Sequence, residues 1–81
     1  MRNYVLMSKR RGALPGFGAR LRGARMRAGM SEKELEFQCG IKRSSISTYE
    51  HDHVLPGTMT IIWLSKALGV TSDYLLGLEE K

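Results

Sequence analysis

From Phe17 to Gly77 the apolar residues recur with a helical period, and glycine interrupts them at intervals. Phe17, Leu21, Ala24 and Ala28 fall at i, i+4, i+7 and i+11, one stripe of a helix over residues 17–28. Gly29 follows, in the place where helices most often end. Ser31 can cap a second helix, and Glu34, three residues on, completes a capping box. Leu35 and Cys39 face inward there, and Gly40 supplies a sharp turn that a residue with a Cβ tolerates poorly. Ile41 opens the next apolar face, and Ile46 and Tyr49 fix the buried side of a third helix. The segment His51–Gly57 is a loop in which Pro56 bars helix continuation. A fourth helix starts near Thr58, its expected cap, buries Ile61, Leu64, Ser65 and Leu68, and closes at Gly69. Thr71 caps a short fifth helix carrying Tyr74, Leu75 and Leu76, and Gly77 ends it. The pattern predicts an all-α, compact five-helix domain without internal repeats.

Residues 1–15 lack this period, and Gly12, Pro15 and Gly16 set them apart. The expected organisation is a flexible basic arm over 1–15, a domain over 16–78 whose central motif spans 31–51, and a tail over 79–81. A short strand at Tyr4–Met7, pairing across a dimer, is the alternative for the arm.

Charge sharpens the picture. Residues 1–28 hold eight of the 13 Lys and Arg and no acid, whereas the remainder carries five basic residues against eight acidic ones. A basic segment ahead of the motif suits attraction to phosphate; the plainer reading is a solvated, solubilising tail. With 42% hydrophobic and 26% charged residues, the chain is neither disordered nor membranous, and no apolar run approaches the ~20 residues of a membrane span. A single cysteine excludes an internal disulfide framework and suits a reducing cytoplasm. Cys39, His51 and His53 lack zinc-site spacing, so no metal is expected. There is no nucleophile–base pair, carboxylate dyad or phosphate loop, so neither catalysis, a cofactor nor a small-molecule substrate is expected.

The chemistry concentrates in the motif. Its second helix turns Lys42, Arg43, Ser44, Ser47 and Thr48 outward, the arrangement by which a helix-turn-helix offers side chains to a DNA major groove. An arginine can grip guanine O6 and N7 with two hydrogen bonds, whereas serine and threonine hydroxyls bond bases and phosphates more promiscuously. His51, in the following turn, is a candidate backbone contact. Arg20 and Arg22 on the first helix are candidate phosphate contacts.

The ordered set Arg20-Leu-Arg-Gly-Ala-Arg25, Ser45-Ile-Ser-Thr-Tyr-Glu50, Pro56, Leu64-Ser-Lys-Ala-Leu-Gly-Val70 and Asp73-Tyr-Leu-Leu76 resembles the Cro/phage-repressor-type (XRE-like) helix-turn-helix family. The resemblance covers roughly Gly16 to Gly77. It implies a lambda-repressor-like domain that binds double-stranded operator DNA, usually as a two-fold homodimer, with Lys42 and Arg43 in base and phosphate contact. Three positions depart from the family pattern: Glu32 replaces a common glutamine, Glu36 a common alanine and Asp52 a common glycine.

Periodicity and resemblance converge on Arg25 and Glu50. Both charges sit at the edge of an inward face, which is costly unless they pair, so an ion pair joining the first and third helices is expected. Phe37, Trp63 and Met26 instead point outward, and Trp63 and Leu78 are the candidate dimer anchors. The functional expectation is a sequence-specific transcriptional regulator, a repressor, acting in a prokaryotic or phage-infected cytoplasm. The alternative is a helical protein-interaction module, or an antitoxin-like partner protein, built on the same fold.

Overall fold

The computed structural model describes residues 15–79. The arm, apart from Pro15, and the end of the tail lie outside the described residues, and so does the strand considered at Tyr4–Met7. Five helices follow in order: α1 Phe17–Arg27, α2 Glu32–Cys39, α3 Arg43–Glu50, α4 Thr58–Leu68 and α5 Ser72–Leu76. There is no strand among the described residues. α1 packs on α3 and α5, α2 on α3 and α4, and α4 on α5.

Local chemistry explains most of the boundaries. Ser31 Oγ accepts from the Glu34 N–H at 3.0 Å, and Glu34 Oε1 accepts from the Ser31 N–H at 2.7 Å, so the capping box fixes the start of α2. Gly40 ends α2 at φ 78°, a left-handed conformation open to glycine at little cost, and lets the chain reverse into α3. Thr71 Oγ1 accepts from the Tyr74 N–H at 2.9 Å and starts α5. Two expected details differ. The N-cap of α4 is Gly57, with Thr58 as the first helical residue and no side-chain cap. Ala28 is exposed at the C-terminus of α1, because the helix ends at Arg27 before its stripe reaches that residue.

The core draws Phe17, Leu21 and Ala24 from α1, Leu35 from α2, Ile46 from α3, Ile61, Leu64 and Leu68 from α4, and Leu75 from α5. Each helix contributes one stripe, so burial of apolar surface joins all five. Cys39 and Tyr49 are only partly buried and pack against the edge of this core.

One ionic contact crosses it. Arg25 Nε donates to Glu50 Oε2 at 2.6 Å and Nη2 donates to Oε1 at 3.0 Å, a bidentate pair between α1 and α3. The side chains are 12% and 2% exposed. The remaining guanidinium nitrogen, Nη1, donates to the Met30 carbonyl at 2.9 Å and holds the α1–α2 turn. The Glu50→Ala protein should lose roughly 3–5 kcal/mol of unfolding free energy, because the guanidinium would stay largely buried without its counter-charge. Urea denaturation measures this loss; a change below about 1 kcal/mol, the scale of an exposed pair, would contradict it.

Candidate nucleic-acid interface

α2, the Gly40 turn and α3 form two helices across a tight reversal. α3 buries Ile46 and Glu50 on one side. Lys42, Arg43 and Ser44 are exposed around its N-terminal end, Ser47 and Thr48 are half-buried along its outer side, and His51 is exposed at its C-terminal end. Of the six expected contact residues of this segment, four are thus exposed at the two ends of α3 and two are half-buried between them. Lys42 occupies the N-cap position without a side-chain cap, so its ammonium is not engaged in holding the helix start.

Hydrogen bonds narrow what these groups can offer. Thr48 Oγ1 donates to the Ser44 carbonyl at 2.9 Å, so its proton is engaged within the helix and the oxygen can only accept from a partner. His51 Nδ1 lies 2.8 Å from the Ser47 carbonyl, which can only accept; Nδ1 therefore carries the proton. A phosphate oxygen can only accept, so a contact from this ring needs a proton on Nε2 as well. The His51 and His53 rings stand 5.9 Å apart, and among the described residues no three His, Cys, Asp or Glu gather as a metal site.

The arginines of α1 separate into distinct groups. Arg25 is turned inward to Glu50, as described. Its guanidinium is held above the ordinary arginine pKa, first by the hydrogen bond to Glu50, against the opposing effect of burial, with the charges of Glu50 and Glu32 adding to the rise. Because the folded value is raised, the guanidinium's contribution is lost only as pH rises through and beyond the ordinary arginine range.

Arg20, read from the sequence as a phosphate contact, is hydrogen-bonded within the fold. Nε donates to the Leu75 carbonyl at 2.9 Å and Nη2 to the Pro15 carbonyl at 3.2 Å. Its guanidinium lies between Gly16 and Gly77, where added Cβ atoms would come within 2.6 and 2.7 Å of it. Arg27 faces α5 as well: Nη2 donates to the Tyr74 hydroxyl at 2.9 Å, and the guanidinium sits 5.7 Å from the ring centroid. Helical periodicity puts both on the α5 side of α1 because they lie seven residues apart. Arg22 is exposed, one turn beyond Gly18 on the flank that meets the end of α3.

Sequence reasoning missed the role of Asp52, which it registered only as a departure from glycine. Asp52 Oδ1 accepts from the Gly18 N–H at 2.9 Å and thereby joins the loop after α3 to the first turn of α1. One signal was available. α1 starts after glycine, with no Ser, Thr, Asp or Asn at its N-cap, so its first N–H groups needed an acceptor from elsewhere. Of the departures in α2, Glu32 contributes favourably to the charge of Arg25, and Glu36 is half-buried.

Residues 21–75 match the helix-turn-helix family model. The chain belongs to this family. It is 41% identical over 63 residues to the HTH-type transcriptional regulator ImmR of Bacillus subtilis, a match covering 78% of this chain and 50% of ImmR. It is 37% identical over 60 residues to a prophage-derived uncharacterized HTH-type transcriptional regulator, YonR, of the same organism, covering 74% of this chain and 56% of YonR. The chain thus spans about half the length of the curated relatives it matches. The crystal structure of a hypothetical transcription factor, NHTF, from Neisseria shares the helix-turn-helix fold with a TM-score of 0.70. It is 32% identical, and the match covers 74% of this chain and 69% of that one. No helix among the described residues is long and apolar enough to cross a membrane.

Arg20→Ala should cost roughly 1.5–3 kcal/mol of stability, the scale of a hydrogen bond involving a charged group. It should leave duplex affinity within about twofold at temperatures where the protein stays folded. Arg22→Ala should do the reverse, keeping stability and weakening binding to all duplexes alike. Thermal denaturation beside fluorescence-anisotropy titration separates the two, and an Arg20→Ala protein of unchanged melting temperature would contradict the assignment.

Proposed function

We propose that this chain is a sequence-specific DNA-binding regulator of transcription, a repressor, that reads double-stranded operator DNA by placing α3 in the major groove. The observation that carries the reading is the Gly40 reversal presenting an exposed Lys42, Arg43 and Ser44 at the start of α3. Farther along that helix Ile46 and Glu50 are buried against the rest of the domain and hold it in place. The naming of ImmR and YonR as transcriptional regulators supports it. In this reading Arg43 discriminates bases, Lys42, Arg22 and His51 engage the backbone, and Ser44, Ser47 and Thr48 make close contacts to either. The site of action is the nucleoid, in the cytoplasm.

Arg43→Ala should weaken binding to a duplex selected from a random pool by roughly 5- to 150-fold, the equivalent of one bidentate base contact. Binding to an unselected duplex should change far less. Competition anisotropy measures both; an equal loss on the two duplexes would make Arg43 a phosphate contact and remove the specificity assignment.

One recognition helix spans only a few base pairs, so we extend the proposal to a homodimer with recognition helices ~34 Å apart. Trp63 and Leu78 are 47% and 49% exposed. Trp63, however, lines the α2 side of α4 beside Gln38 and Cys39. A separate groove of about 450 Å³ runs between α4 and α5, lined by Leu55, Pro56, Ile61, Ile62 and Leu76. Ile62 and Trp63 differ by one residue, so they point ~100° apart around α4. The α4–α5 groove is mainly apolar and borders the helix that precedes Leu78; we assign it to the second copy, with Trp63 outside its centre. Sedimentation should show that Ile62→Lys dissociates the dimer while Trp63→Ala leaves it assembled. The opposite pattern would move the interface to the α2 side.

A second reading is favoured by one observation: Phe37 is 86% exposed on the outer face of α2, and Met26 is 59% exposed on α1. Such side chains suit a protein-interaction module or an antitoxin-like partner. Counterion release separates the readings, since DNA binding must weaken steeply with salt whereas an apolar protein contact does not.

A further inference from the structure

We infer that Asp52 is a positioning residue for DNA recognition, acting as the second of two clamps that set the direction of α3 against α1. The inference rests on the reading of α3 as the recognition helix. Asp52 has φ 59° and is the one non-glycine residue with positive φ among the described residues. It closes α3 with the bonding pattern of a Schellman end: its own N–H donates to the Tyr49 carbonyl, and the His53 N–H donates to the Thr48 carbonyl, both at 3.1 Å. Glycine is the ordinary residue at such a point, because an L side chain there is strained. A strained aspartate in that place calls for a compensating contact, and its carboxylate makes one.

Oδ1 accepts from the Gly18 N–H at 2.9 Å. Gly16, the N-cap of α1, supplies no side-chain acceptor, so Asp52 caps α1 from 34 residues away in the chain. The N-terminal end of a helix also favours an anion. Gly18 makes the approach possible: a Cβ there would fall 2.3 Å from the Glu50 carbonyl oxygen and 2.8 Å from Asp52 Oδ2.

The geometry gives this contact a directional role. Arg25 and Gly18 are seven residues apart on α1, about 10 Å along its axis. Arg25 holds Glu50, the last residue of α3, and Gly18 holds Asp52 just beyond it. One attachment would leave α3 able to pivot; two separated ones fix the line along which it leaves α1. That line sets where Arg43 falls on the bases when Arg22 on α1 meets the backbone. The carboxylate is turned onto α1, so it acts on the helix through the Gly18 N–H.

Two variants separate this role from charge and from backbone strain. Asp52→Asn keeps an acceptor and tolerates positive φ. Asp52→Gly relieves the strain but removes the acceptor, so both should fold. In amide-exchange NMR of the free protein, Gly18 should stay protected in wild type and Asp52→Asn and lose protection in Asp52→Gly. Residual dipolar couplings should show the α1–α3 angle altered or averaged in Asp52→Gly alone. With a duplex selected by wild type from a random pool, Asp52→Gly should lose roughly tenfold in affinity, with less than about twofold change on an unselected duplex. Asp52→Asn should match wild type. Unchanged couplings in Asp52→Gly would overturn the clamp. Equal gains for both variants on both duplexes would overturn it as well, since Asp52 would then act only as a repelling charge. The couplings are read without DNA, so a protein that prefers no duplex would refute the recognition reading separately from the clamp.

Discussion

The bidentate contact between Arg25 and Glu50 is the constraint on which the arrangement of helices turns. Two charges withdrawn from water are unfavourable on their own, and only their mutual satisfaction makes the site tolerable. The guanidinium meets that demand with three acceptors: both carboxylate oxygens of Glu50 and the Met30 carbonyl. Apolar burial is non-directional, whereas a planar fork on a carboxylate accepts one alignment. The pair therefore specifies where α3 sits on α1, while the apolar core supplies the driving force that keeps them together.

The remaining polar contacts extend this logic to the other helices. Arg20 and Arg27 join α1 to α5 through the Leu75 carbonyl and the Tyr74 hydroxyl. Asp52 joins the end of α3 to the start of α1. α1 thus serves as the spine of the domain, with one flank fixed to α5 and the other to α3. The exposed edge of α3 is left to face a partner, and its groups are donors or hydroxyls suited to phosphates and base edges.

Much of the fold was legible in the sequence because it is encoded locally. The capping box at Ser31 and Glu34, the Gly40 reversal and the spacing of Phe17, Leu21 and Ala24 each act within a few residues. Burial of Arg25 and Glu50 at the edges of apolar stripes was legible for the same reason. Arg20 was not: its position on the polar side of α1 reads the same whether it faces solvent or the C-terminus of α5. Only tertiary packing, with glycines 16 and 77 leaving room for the guanidinium, decides the matter. Asp52 was hidden for a related reason: the missing side-chain cap at Gly16 shows that α1 needs an acceptor, but not which distant residue supplies it. The cap of α4 shows the limit of local reading: glycine and threonine are about equal as caps, so propensity does not choose between Gly57 and Thr58, and Gly57 holds the position.

The central claim is that α3, held by the buried pair, is the surface that reads DNA. Backbone amide NMR during titration with a duplex selected from a random pool tests it most directly. The account predicts that the largest shift changes run from Lys42 to Thr48, with Arg22 affected and Phe37 and Trp63 nearly still. Changes centred on Phe37 and Trp63, with Lys42 to Thr48 unmoved, would contradict it.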